Sequence, residues 1–289
     1  MLIKTKQAFS KFLDKSFGNE GADIEKLYGN FSISLPAGHR LPIYQQRHPQ
    51  YDRFLPHAAK YLWKHETVID VGANCGDTLA AMVDANPELD YVCIEPDDRF
   101  FEFLTANIAV MRRKFPALRI QSVKSLVGKN VNNVVLEGTG GTKHAVVGSG
   151  TQQSRSLDTI CADLGIANVR LLKSDVDGFD YDILDSAQAT TAAQKPLLFF
   201  ECQCDFDYQK AGYTQTIARL HATGYTHWTI FDNFGEVLLR TGDMDVIFQL
   251  MEYTWQQQQK TSTRTIYYYD ILAHAELDTL LVDRMLSTY

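Results

Sequence analysis

The stretch Val68-Ile69-Asp70-Val71-Gly72-Ala73-Asn74-Cys75-Gly76-Asp77-Thr78 decides the fold, because an apolar run closes on an acid and then on a glycine-rich turn. Thr67, Val68 and Ile69 are β-branched and read as a strand, whereas Leu79 to Val83 suits the first turns of a helix. Gly72 and Gly76 therefore fall in a strand-to-helix crossover. Lacking a Cβ, each can take a positive φ and admit a ligand or the helix close to the backbone. Asp70 offers a carboxylate at the carboxyl end of the strand, and Asp77 and Thr78 are placed to cap and complement the helix start.

A second apolar run, Tyr91 to Ile94, closes on Glu95 and Pro96. Glu95 lies a helix and a strand beyond the glycines, close to the roughly 20-residue spacing at which a carboxylate meets the ribose hydroxyls of an adenosine cofactor. A dinucleotide site requires G-x-G-x-x-G for backbone to approach a pyrophosphate. The turn here reads Gly72-Ala73-Asn74-Cys75-Gly76, without the middle glycine. A cofactor with no phosphates and an amino-acid end suits it better: Asp70, Asn74 and Asp77 would hold an ammonium and a carboxylate. S-adenosylmethionine fits that description.

Farther along, Ser156-Leu157-Asp158-Thr159-Ile160 is followed by Leu172-Lys173-Ser174-Asp175-Val176-Asp177-Gly178-Phe179-Asp180 and by Leu184-Asp185-Ser186-Ala187. Together with the first turn, this pattern resembles the signature of the FkbM-type class I methyltransferases, and Glu201 after the apolar run Pro196 to Phe200 matches that family's next strand. The resemblance runs from about Thr67 to about Gln203, with echoes at Leu220 to Leu238 and at Tyr269-Asp270-Ile271-Leu272. Asp177 and Asp180 stand where Glu is usual, Ser174 where an apolar residue is usual and Ser186 where Gly is usual. The resemblance implies an α/β, Rossmann-like fold with a mainly parallel seven-stranded sheet, helices on both faces and an antiparallel terminal strand pair. It also implies S-adenosylmethionine as cofactor, with Ser125 facing the adenine, and O-methylation of a sugar or polyketide hydroxyl.

The second segment carries its own physical reading. Val169 to Leu172 is an apolar run, so Asp175 falls at a strand end, where ligands of open parallel sheets bind. Asp175 and Asp177 are two apart and share a side if the extended conformation persists. Methyl transfer to a hydroxyl needs alignment and an acceptor for the proton. Asp175, Asp177 and Glu201 are the candidate bases. Alternatively, three carboxylates at neighbouring strand ends would hold a divalent cation such as Mg2+. His144, in a Gly-rich stretch, reads as a solvated loop residue.

Composition narrows the partners. The chain has 289 residues, is 45% hydrophobic and carries a formal net charge of -7. Excess negative charge disfavours nucleic acid and anionic membranes, leaving a small-molecule or carbohydrate-type acceptor. Association into an oligomer is left open. Cys75, Cys93, Cys161, Cys202 and Cys204 lack the paired spacing of zinc sites and read as reduced thiols. No early apolar run has the length of a signal or membrane-spanning segment, so the expectation is a cytoplasmic protein without membrane insertion.

The sequence divides into an amino-terminal extension, 1–52, and a methyltransferase domain, 53–289. Ile3 to Phe17 and Ala22 to Tyr28 read as an amphipathic entry, and Phe31 to Pro49 as extended. Phe54 to Lys64 reads as a helix, and Ile120 to Val123 as the third strand. Val134 to Gly150, broken by Gly138, Gly140 and Gly141, reads as strands around a loop. Trp228 to Phe231 and Val237 to Leu239 flank a turn at Asp232-Asn233-Phe234-Gly235. Two other readings share parts of this pattern: a nicotinamide dehydrogenase, which would show the three-glycine turn, and a non-catalytic α/β module that keeps the fold.

Overall fold

Burial alternates along Phe31–Leu35, with Phe31, Ile33 and Leu35 inside, which makes the segment a strand with one face on the core. It is β2, and it pairs antiparallel with β1, Ile24–Tyr28. A computed structural model describes residues 21–129, 132–137, 144–147, 152–260 and 264–289, and only the backbone at 132–137, 144–147 and 152. Ile3 to Phe17 and the glycines Gly138, Gly140 and Gly141 lie outside the described residues, as does the side chain of His144.

Helix α1, Leu41–Arg47, follows where the sequence reads as extended. Pro42 sits in its first turn, where a missing N–H breaks no helical hydrogen bond, so the proline starts the helix. Helix α2, Phe54–Ala59, is shorter than the periodicity suggests. It leads into β3, Thr67–Val71, which is buried at every position, as a strand covered on both faces must be.

From β3 the chain runs through α3, Asp77–Ala85, to β4, Asp90–Ile94, and through α4, Asp98–Lys114, to β5, Arg119–Val123. Asp97 caps α4 by accepting from the N–H groups of Arg99 and Phe100 at 3.0 and 3.1 Å, and Arg112, Arg113 and Lys114 complement its last turn. Strands β6, Asn132–Glu137, β7, His144–Val147, and β8, Gln152–Gln153, form a separate sheet in the order β7-β6-β8.

After α5, Leu157–Asp163, the chain returns to the other side of β3 as β9, Val169–Ser174. Helices α6, Asp180–Asp185, and α7, Gln188–Gln194, lead to β10, Leu197–Cys202. Helix α8, Asp207–Ala222, precedes the hairpin β11, Tyr225–Asp232, and β12, Val237–Thr241. Helix α9, Met244–Lys260, β13, Tyr269–Ala275, and α10, Thr279–Leu286, complete the chain. The main sheet has eight strands in the order β12-β11-β13-β10-β9-β3-β4-β5. Strands β10, β9, β3, β4 and β5 are parallel, and β13 lies antiparallel between β10 and β11. The sheet is thus mainly parallel and Rossmann-like, with β12 as an added edge strand.

Two cores lie against the sheet. One gathers residues of β1, β2, α2, α3, α4 and α10 with Val68, Tyr91, Leu171 and Leu272. The other gathers residues of α5, α6, α8 and α9 with Ile69, Val92, Leu172 and Phe200. Ile33 and Leu35 lie in the first, so the hairpin preceding residue 52 is continuous with the core of the sheet. Five buried free cysteines are distributed through the same packing. Among the described residues no helix is long and apolar enough to cross a membrane.

Asn107 of α4, 1% exposed, ties the hairpin to the glycine turn. Its Oδ1 accepts from Ser34 N at 2.9 Å, and its Nδ2 donates to Ser34 O and to Cys75 O, each at 2.8 Å. Replacing Asn107 with Leu leaves these three backbone groups without their partner. The expected loss is about 3 kcal/mol, read from urea unfolding.

Candidate functional site

The chain adds strands in one direction from β3 to β5 and in the other from β9 to β10, and such sheets hold ligands at the carboxyl ends of the strands beside this switch point. Asp70 and Lys173 are register partners across this boundary. Lys173 Nζ lies 2.9 Å from Asp70 Oδ1 and 3.6 Å from Asp175 Oδ2, and it donates to Gly72 O at 3.0 Å. The Lys173 and Asp70 side chains are 5% and 1% exposed. Burial opposes the lysine's charge, but Asp70 and Asp175 outweigh it and raise its pKa above the ordinary value.

Gly72 closes the same junction from the backbone. Its φ is +77°, and a Cβ there would lie 2.1 Å from the carbonyl oxygen of Asp175. Asp175 N donates to Val71 O at 3.1 Å. The glycine therefore lets the loops after β3 and β9 touch. Gly76 has φ +81° and is the N-cap of α3 without a side-chain bond. Asp77 and Thr78 follow in the first turn and do not occupy the cap expected of them, because Gly76 takes the left-handed cap position.

Glu95, beyond the end of β4, reaches across to this turn. Its Oε2 accepts from Asn74 N at 2.8 Å and its Oε1 from Asp97 N at 2.9 Å. Asn74 has φ +49°, and its Oδ1 accepts from Cys75 N at 2.7 Å. Burial pushes the Glu95 carboxyl up to about 7 despite the two backbone N–H groups that favour its anion. Both oxygens retain lone pairs for further donors. Pro96 and Ser125 are half-buried nearby in sequence to the ends of β4 and β5, and Ser125 Oγ donates to Leu126 O at 3.1 Å.

A third group comes from β10 and β13. Glu201 and Asp270 are register partners, and alternation places both on the face of Asp70 and Lys173, which is also that of Val68, Leu171, Phe199 and Leu272. Glu201 is 5% exposed, and its Oε1 has no hydrogen-bond partner among the described residues. Burial, with Asp175, Asp177, Asp180 and Asp270 nearby, raises the Glu201 pKa well above the ordinary range. Burial also raises Asp270, which feels Asp175 and Asp52.

Asp175 stands at the front of this group with its side chain 54% exposed. It does not share a side with Asp177 through an extended chain, because β9 ends at Ser174 and both Asp177 and Gly178 have positive φ. Asp180 belongs to the opposite face. Fully buried, it accepts from Ser174 Oγ at 2.6 Å and Tyr213 OH at 3.3 Å, and burial pushes it up to about 7. Sequence reading assigned no role to Lys173 or Asp270. A cation ending the apolar run Val169–Leu172 marks the first; the second requires the pairing of β10 with β13.

Among the described residues, Asp175, Asp177 and Glu201 do not bring ligand atoms together as a metal cluster; the grouping that does is His39, Cys75 and Asp77. A divalent cation at the strand ends, the alternative reading of these acids, has no support from this grouping. Replacing Lys173 with Met strands a buried carboxylate and is expected to cost about 3–5 kcal/mol of stability. Changing Asp70 to Leu in the same chain should recover most of that loss in urea unfolding, and additive losses would dissolve the coupling.

No curated protein sequence matches the chain. Similar solved structures include the METTL16 methyltransferase domain, with 12% identity and TM-score 0.45, covering 95% of this chain and 80% of that one. A methyltransferase FkbM from Methylobacillus flagellatus KT has 14% identity and TM-score 0.40, covering 81% of this chain and 59% of that one. The plantazolicin methyltransferase BpumL in complex with SAH has 8% identity and TM-score 0.40, covering 82% of this chain and 89% of that one. The sequence matches the methyltransferase FkbM domain over residues 70–237, more than half of its length, and the chain belongs to that family.

Proposed function

We propose that this methyltransferase uses S-adenosylmethionine to methylate an oxygen of a sugar, polyketide or other small acceptor. The placement of the glycine turn, Glu95, Asp175 and Glu201 at the carboxyl ends of the parallel strands β3, β4, β9 and β10 carries the reading. S-adenosylmethionine, when bound, supplies an electrophilic methyl on a sulfonium. The donor chemistry suits it: Glu95 is a buried carboxylate with lone pairs left for ribose hydroxyls, and the turn has polar groups in place of the middle glycine a pyrophosphate needs.

In this reading Gly72, Asn74, Gly76, Asp77 and Thr78 form the cofactor side, with Glu95 and Pro96 at the ribose and Ser125 toward the adenine. Asp70 acts through Lys173, which sets the turn against the loop of Asp175. Asp175, exposed beside Lys173, orients the acceptor hydroxyl, and Asp177 borders it. Glu201 takes the proton that leaves as the acceptor oxygen gains the methyl. Glu201 Oε1, which has no hydrogen-bond donor among the described residues, is the oxygen open to accept that proton.

Calorimetric titration with S-adenosylhomocysteine, with NAD as control, is expected to show micromolar binding of the first alone, about -8 kcal/mol. NAD binding would instead favour a dehydrogenase, and binding of neither would favour a non-catalytic module. The Glu95 carboxyl is held near pH 7, and ribose hydroxyls donate to its anion, so S-adenosylhomocysteine should bind more tightly as pH rises through about 7. Glu95→Gln should flatten that dependence and weaken binding; an unchanged profile would remove Glu95 from the ribose. Asp175→Ala should retain S-adenosylhomocysteine affinity within about threefold while transfer to an acceptor found by labelled-methyl screening falls by about 100-fold or more.

A further inference from the structure

The link between β2 and α1 carries His39 onto the glycine turn. His39 Nε2 lies 3.7 Å from Cys75 Sγ and 3.9 Å from Asp77 Oδ2. One ligand atom from each of the three residues falls within 4.8 Å of the others. Cys75 is fully buried, and the His39 and Asp77 side chains are 10% and 12% exposed. Each comes from a different place: the link, the turn and the first turn of α3. The 3.9 Å separation is too long for a hydrogen bond, and 3.7 Å allows only a weak contact to sulfur.

We propose that His39, Cys75 and Asp77 form a three-ligand site for Zn2+. Tetrahedral zinc, with bonds near 2.0–2.1 Å to nitrogen or oxygen and 2.3 Å to sulfur, sets its ligand atoms about 3.6 Å apart for N and S and about 3.4 Å for N and O. The two imidazole contacts observed here exceed these values by about 0.1 and 0.5 Å, and the sulfur-to-carboxylate separation lies within 4.8 Å, so binding draws the three side chains together. A mixed N, S and O set suits zinc, whereas Mg2+ and Ca2+ take oxygen. One coordination position is left for water.

Binding replaces the Cys75 S–H bond with a zinc–sulfur bond and releases the thiol proton to solvent. The lone pair of His39 Nε2 faces the metal, so a neutral imidazole carries its proton on Nδ1. The long contact from Leu41 N to Nδ1, 3.4 Å, is the one that yields. The bound metal clasps the link to the turn and engages the Asp77 carboxylate that the proposed function sets on the cofactor side, so metal binding is read without cofactor present.

The test uses the full chain after chelator treatment, titrated with Zn2+ in buffers of different ionisation enthalpy. The expected result is one zinc bound with release of about one proton and a rise in Tm, with no rise on adding Mg2+. Co2+ in place of zinc should give a thiolate-to-metal charge-transfer absorption. Cys75→Ser should abolish that band, and Cys75→Ser and His39→Ala should each weaken zinc by at least about tenfold. His39 is at the edge of the turn, so His39→Ala tests the site even if the buried serine impairs folding; unfolding of metal-free protein checks both variants. A wild-type cobalt complex without the charge-transfer band, or zinc binding unchanged in His39→Ala, overturns the proposal.

Discussion

A lysine buried inside a parallel sheet is tolerable only if its charge is answered at close range. Lys173 is answered by Asp70 on the adjacent strand, by the carbonyl of Gly72 and by Asp175. Those partners stand on both sides of the boundary between β3 and β9, so satisfying one charge fixes the two loops against each other. Gly72 makes the arrangement sterically possible, since any side chain would strike the Asp175 carbonyl. The distance between the glycine turn and the loop of Asp175 is thereby set by an interaction below the surface.

The same strand ends give their acids different environments. Asp180 and Glu201 are both buried, yet Asp180 accepts from a serine and a tyrosine, while one Glu201 oxygen has no such donor among the described residues. Alternation separates them: Ser174 and Tyr213 belong with one core, whereas Glu201 lies on the other face beside Asp270. Hydrogen bonding makes the first a fixed part of the packing. The second is held beside Asp270 with one oxygen unanswered by protein donors among the described residues.

Much of this was legible because it is local. A β-branched run, an acid and spaced glycines specify β3, its turn and α3 without help from distant residues, and Glu95 follows from the next strand. The pairing that buries Asp70 was not legible, because an acid at a strand end looks alike whether it faces solvent or a lysine 103 positions away in the chain. Asp177 departs from the expected extended line because its left-handed φ depends on packing around Gly178, whose missing Cβ accommodates Gln209. Helix α1 was obscured by Pro42, which marks extended chain as readily as a helix start. Asp270 and His39 reach the site only through tertiary contacts.

The position of β13 bears on how the molecule assembles. Strands β11 and β12 can pair as a local hairpin, but β11 joins β10 only through β13, which comes later in the chain than either. Closing that gap is a long-range event, of the kind that slows folding. It is also the pairing that sets Asp270 beside Glu201, so the mutual repulsion of these carboxylates is felt only once β13 has entered the sheet. The acidic wall therefore depends on the strand that arrives last from the ribosome, whereas the glycine turn and its Glu95 partner come from two strands adjacent in both sequence and sheet.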